Sequence, residues 1–141
     1  MPDDGLDHGR SMDSTPRAAL GRYGEQLAAD HLAGLGMQVL ARNWRCREGE
    51  LDLVVRDVDG TLVFVEVKTR SGTGYGEPSE AVGRRKAARL RVLATRWLAE
   101  QRSTPGGTVA RAGSVDLRFD VVSIVRRRGH AAALTHLRAA L

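Results

Sequence analysis

The sequence predicts a mixed α/β (α+β) fold: one mixed β-sheet flanked by helices, in the order α-β-β-β-α-β. Three observations predict it. Two stretches, 18–35 and 79–101, carry apolar residues at helical spacing. Between them lie three short runs rich in Val, Leu and Phe, the last two joined by the turn-forming "RDVDG". A final run, "LRFDVVSIV", follows the second helix, and a strand–helix–strand passage of this kind returns parallel by a right-handed crossover.

The elements follow in order. Residues 1–17, "MPDDGLDHGRSMDSTPR", are polar and early on acidic, without the apolar core of a signal peptide. They are expected to be a disordered tail ahead of a single domain spanning 18–141. In the first helix Leu20, Leu27, Ala28, His31, Leu32 and Leu35 fall near one stripe, and "GLG" at 34–36 stops it. "MQVLARNWRC", "ELDLVV" and "TLVFVEVKT" read as successive strands. After the Gly-rich "SGTGYGEPS", Ser79 caps a second helix that runs to about Gln101. Its apolar face is Val82, Leu90, Leu93, Ala94, Trp97 and Leu98. "STPGGTVARAG" is a loop, "LRFDVVSIV" the fourth strand, and "RRRGH" leads into a short C-terminal segment.

Composition narrows the function classes. A chain of 141 residues suits one domain with a real core. The 22 basic residues outnumber 17 acidic ones, which favours a phosphate-rich partner, nucleic acid before membrane; a merely soluble surface has the same signature. At 4% aromatic residues, stacking platforms for single strands are not evident. Cys46 is the sole cysteine, which excludes an intrachain disulfide and a cysteine zinc site. No apolar run approaches the ~20 residues that span a bilayer, so no membrane partner and a cytoplasmic location are expected. Only Lys68 and Lys86 are lysines; the other twenty basic residues are arginines. Against that bias, the two lysines either mark places where a compact ammonium suits better than a guanidinium or survive by chance.

The third strand carries the chemistry. Side chains alternate faces, so Leu62, Phe64, Glu66 and Lys68 share one side. With the hairpin tip at 58–60, paired positions sum to 118, which sets Val54 opposite Phe64 and Asp52 opposite Glu66. Opposed residues share a face, with β-carbons about 5 Å apart. Asp52, Glu66 and Lys68 therefore converge, and two carboxylates that close call for a cation between them, most economically a divalent one with oxygen ligands. Beside it, a lysine holds or helps deprotonate water, or stabilises charge at phosphorus. An E-x-K tripeptide is more often an exposed ion pair on an edge strand. Here both strands are rich in Val and Leu and read as central, with little exposed face to spare.

These residues carry a family resemblance. "GELDLVVRDVDGTLVFVEVKTR" resembles the G-E-I-D-L-I … V-F-V-E-V-K-x-R signature of the YraN family of small bacterial proteins, grouped with the PD-(D/E)xK nucleases and similar to Holliday-junction resolvases. "GRYGEQLAADHL", "GEPSEAVGRRKAARL" and "LRFDVVSI" resemble its other motifs, in order, from about Gly21 onward. The resemblance implies a restriction-endonuclease-like fold. It implies that Asp52, Glu66 and the Val67 carbonyl bind Mg²⁺ or Mn²⁺, that Lys68 is the catalytic lysine, and that Glu25 joins them from the first helix. A solvated helix glutamate is the alternative for Glu25. It also implies DNA as partner, with Lys86 meeting phosphate or an acidic site residue. Arg70, in the K-x-R motif, and Arg84 are further nucleic-acid-binding candidates. The dense cluster Arg126, Arg127 and Arg128 reads as a phosphate contact, although basic runs in loops are often only solvated. Glu50 and Glu77 are secondary candidates, and His8, His31, His130 and His136 show no ligand spacing.

Two functions follow from this pattern. One is a metal-dependent DNA endonuclease acting on branched or otherwise structured DNA; cutting both strands of a junction would need a homodimer. The other is a nucleic-acid-binding module that keeps a nuclease-like fold without turnover. A purely structural role for the charges predicts that Asp52→Asn changes neither metal binding nor DNA affinity.

Overall fold

The computed structural model describes residues 15–72, 84–107, 109 and 115–140. Helix α1 spans Pro16–Gly34. The Thr15 hydroxyl caps it by accepting the Ala18 N–H at 3.0 Å, and Pro16 sits in the first turn, where its missing N–H costs nothing. The helix therefore begins two residues earlier than the stripe predicts. Its buried face is Gly24, Ala28, Ala29 and Leu32. Leu35 is not on that face: it is the C-cap and is 49% exposed.

Five strands follow in one sheet: β1 (Gln38–Cys46), β2 (Gly49–Arg56), β3 (Leu62–Ser71), β4 (Leu117–Arg126) and β5 (Ala133–Leu137), with helix α2 (Arg84–Ser103) between β3 and β4. Their spatial order is their sequence order. All neighbours are antiparallel except β3 and β4, which run parallel across the α2 crossover. The predicted mixed sheet and element order are thus present, with β5 added at the end. The proposed Ser79 cap, Val82, Glu77 and most of the N-terminal tail lie outside the described residues.

The two sheet faces bury different helices. Val54, Leu62 and Phe64 pack against Leu93, Ala94 and Trp97 of α2. Val55, Val63 and Val65 pack against Ala28, Ala29 and Leu32 of α1. The Phe64 ring meets Trp97 edge-on at 5.8 Å and stacks on Phe119 at 5.5 Å. Burying rings of this size contributes on the order of 2–3 kcal/mol each, so β3 is anchored firmly along its apolar half.

The β2–β3 register is the expected one: Leu53↔Val65, Val54↔Phe64, Val55↔Val63 and Arg56↔Leu62. That ladder ends at Leu53↔Val65, while β3 continues beside β4 as far as Ser71↔Arg126. The two strands part just where Asp52 and Glu66 stand. Among the described residues, no helix is long and apolar enough to cross a membrane.

Candidate active site

Where the ladder stops, Asp52 turns its side chain to the neighbouring backbone. Its Oδ2 accepts the Val67 N–H at 2.8 Å, so it docks beside residues 66–67 without a ladder pair to Glu66. Burial pushes its carboxyl up to about 7; the charge of Glu66 adds to the rise, the Val67 N–H opposes it, and Glu25 and Glu50 contribute less. Glu66 is itself 7% exposed. The sequence-predicted meeting of two carboxylates is therefore present, in a place where negative charge is poorly solvated.

Both lysines of the chain are at this point. Lys86 Nζ lies 2.6 Å from Glu66 Oε2 and Lys68 Nζ lies 3.6 Å from the same oxygen. Two ammonium groups thus share one carboxylate oxygen. Their pKa values move apart. The hydrogen bond to Lys86, then burial and the charge of Lys86, lower Lys68, against the pull of Glu66. For Lys86, burial works against the charge, but the bonds to Glu66 and Lys68 outweigh it and raise the pKa. Lys86 reaches Glu66 from the stripe of α2 that also carries buried Leu90 and Leu93.

Glu25 borders the site from α1. The side chain is placed there by its neighbour: a β-carbon on Gly24 would collide with the Thr69 side chain, so glycine is what lets α1 lie this close to β3. Burial raises the Glu25 pKa, with Asn43 lowering it and the Glu50 charge raising it. In the orientation that satisfies its neighbours, the Asn43 amide nitrogen donates to Glu25 at 3.1 and 3.2 Å and to Glu50 at 3.2 Å. Asn43 is a site residue that the sequence reading missed. Its only sequence signal was an asparagine inside a strand run; the structure shows it at φ +49, a conformation asparagine adopts more readily than most residues.

The arginine candidates separate in space. Arg70 lines a groove of about 420 Å³ on the α1 side, together with Glu25, Val67 and Lys68. Arg126, Arg127 and Arg128 line an adjoining groove of about 640 Å³. Arg84 is exposed at the start of α2 and lines neither these grooves nor the pocket around Asp52 and Glu66. That pocket, about 210 Å³, contains Glu50, Asp52, Glu66, Lys86 and Arg89.

A second polar cluster, away from this site, explains β5. Asp120 is wholly buried and accepts from Arg118 at 2.9 and 3.0 Å, from the Ala139 N–H at 2.9 Å and from His136 Nε2 at 2.8 Å. Burial opposes its ionisation, yet these bonds hold its pKa below the usual carboxylate value. His136 also meets His31 of α1 at 3.1 Å. Neither histidine approaches the carboxylate site. Among the described residues, no three His, Cys, Asp or Glu side chains form a ready-made metal cluster.

Fold and site together define an α+β protein whose central strands part around a buried carboxylate, Glu66, and a half-buried one, Asp52, with two lysines at Glu66. The chain belongs to the uncharacterised protein family UPF0102, whose model matches residues 24–124. It is 54% identical over 128 residues to the UPF0102 protein of Acidothermus cellulolyticus, covering 90% of this chain and 96% of that one. It is 55% identical over 122 residues to a UPF0102 protein of Frankia casuarinae, covering 86% and 95% of the two chains. A Mycolicibacterium smegmatis relative is 48% identical over 127 residues, covering 89% and 95%.

Proposed function

We propose that the protein is a metal-dependent nuclease that hydrolyses phosphodiester bonds in DNA. One observation carries the reading: Asp52, bonded to the Val67 N–H at 2.8 Å, and Lys68, 3.6 Å from Glu66, gather two carboxylates and a lysine around residues 66–67. The donors fit Mg²⁺ or Mn²⁺. They are hard carboxylate oxygens, and the raised Asp52 pKa reflects poor solvation of its charge and the neighbouring charge of Glu66, both of which a cation would offset. Asp52 and Glu66, with the Val67 carbonyl, would hold the ion. Bound there, it would supply Lewis acidity for in-line attack of water on phosphorus and charge for the departing 3′-oxygen.

The side chains divide the remaining work. Lys68, beside Glu66, hydrogen-bonds the attacking water or the phosphate oxygen. Glu25 and Glu50, joined through Asn43, border the site on its outer side. Lys86 has to release Glu66 before that oxygen is open to a cation. Branched DNA as substrate, and a dimer to cut it, rest on the resolvase resemblance alone.

The Lys86–Glu66 contact also favours a second reading. An internal ammonium already neutralises Glu66, as expected of a nucleic-acid-binding module that has stopped turning over. Cleavage assays separate the two. Purified protein is incubated with labelled junction, flap, duplex and single-stranded DNA, with Mg²⁺ or Mn²⁺ and with chelator. Metal-dependent cleavage that Lys68→Ala and Glu66→Ala each abolish supports the enzyme. Tight binding without cleavage of any substrate supports the module.

A further inference from the structure

Two recesses of different character meet where β2 and β3 part, at the Lys68–Glu66 pair. On the α2 side, the pocket of Asp52 and Glu66 also contains Glu50, against the two cations Lys86 and Arg89. On the α1 side, Arg17, Lys68 and Arg70 line the first groove with Glu25. That groove shares Leu20 and Ser71 with the second, which Arg126, Arg127, Arg128 and His130 line from the β4–β5 turn. Among the described residues, six basic side chains and one carboxylate line the joined groove. A polyanion is drawn to this groove.

The groove is held in shape. The Arg126 guanidinium lies over the Tyr23 ring of α1, 4.6 Å from its centre. Gly72 N–H donates to the Arg126 carbonyl at 3.1 Å, tying the end of the Lys68 strand to the arginine turn. Within the turn, His130 N–H donates to the Arg127 carbonyl at 3.0 Å and Gly129 adopts φ +78, which leaves Arg127 and Arg128 exposed. The outer face of α2 has arginines too, two of which are engaged within the protein. Arg96 pairs with Glu48 at 2.7 Å, and Arg91 lies over Phe119 at 5.5 Å.

We propose that the joined groove is the path of the nucleic-acid backbone: a bound strand runs along the α1 side of the sheet, from Lys68 past Arg17 and Arg70 to the Arg126–Arg128 turn. The assignment rests on the nuclease reading for the chemistry at Lys68, but it concerns binding, which is measured without metal.

The test is fluorescence anisotropy with labelled duplex and junction DNA in chelator, over a series of salt concentrations. Arg127→Gln/Arg128→Gln is expected to weaken binding about tenfold or more and to reduce the salt slope by about two, one per lost phosphate contact. Arg85→Gln/Arg96→Gln removes the same charge from α2 and is expected to change affinity less than about threefold, the non-specific effect of net charge. Arg127→Lys/Arg128→Lys should restore the slope. An equal or larger loss from the α2 variant overturns the assignment while leaving the nuclease reading intact. Wild-type protein that binds no DNA, or prefers anionic lipid vesicles at equal salt, overturns both.

Discussion

Asp52 is where the residue scale is most informative. Its carboxyl is moved from an ordinary 3.8 to about 7 by burial and by Glu66, a cost on the order of 4 kcal/mol once it is ionised. The sign follows from proton counting. Between about pH 4 and 7 the folded chain keeps a proton that the unfolded chain has lost, so stability falls as pH rises through that window. Asp52→Asn keeps an oxygen for the Val67 N–H and removes the charge. In metal-free protein it is expected to stabilise the fold by about 1–3 kcal/mol near pH 8 and to flatten the pH dependence below 7, measured by urea denaturation. A variant less stable than wild type near pH 8 would rule this out. Parity along "VEVKT" and the hairpin register were enough to bring Asp52, Glu66 and Lys68 together. They did not reveal that Asp52 bonds to backbone, because register places α-carbons and says nothing of where two strands separate.

At the scale of elements, the "YGEQ" turn of α1 links packing to the site. Gly24 lies against Thr69 of β3 with no room for a methyl group, and the next residue, Glu25, borders the carboxylates. Gly24→Ala should lift α1 from β3 and destabilise the protein by about 1–3 kcal/mol, lowering the thermal midpoint, with Glu25 displaced. An unchanged midpoint would show that the close approach is not needed. The sequence pattern showed a helix stripe and a glutamate beside it, but not that glycine sets the distance. Strand β5 was harder to read. "ALTHL" is short and half polar; what fixes it is long-range, from Asp120 to His136 and the Ala139 N–H. No local period carries such information.

Across the whole molecule, β3 joins the core to the site. It presents an apolar half that anchors it between both helices and a charged half where the pocket of Asp52 and Glu66 meets the basic groove through the Lys68–Glu66 pair. The α-β-β-β-α-β order and the mixed sheet were legible because each long element kept its own period and the crossover rule fixed the rest. The basic groove was not legible, since it depends on where each loop arginine reaches. The central claim is that Asp52 and Glu66, from two strands, form one divalent-cation site that Lys86 from α2 guards. Calorimetric titration of Mn²⁺ into metal-free protein near pH 8 tests it most directly. The account predicts about one ion per chain in the wild type, tighter binding in Lys86→Gln, where Glu66 no longer has its internal cation, and loss of binding in Glu66→Gln. Absence of Mn²⁺ binding in both wild type and Lys86→Gln, or binding that survives Glu66→Gln unchanged, would contradict it.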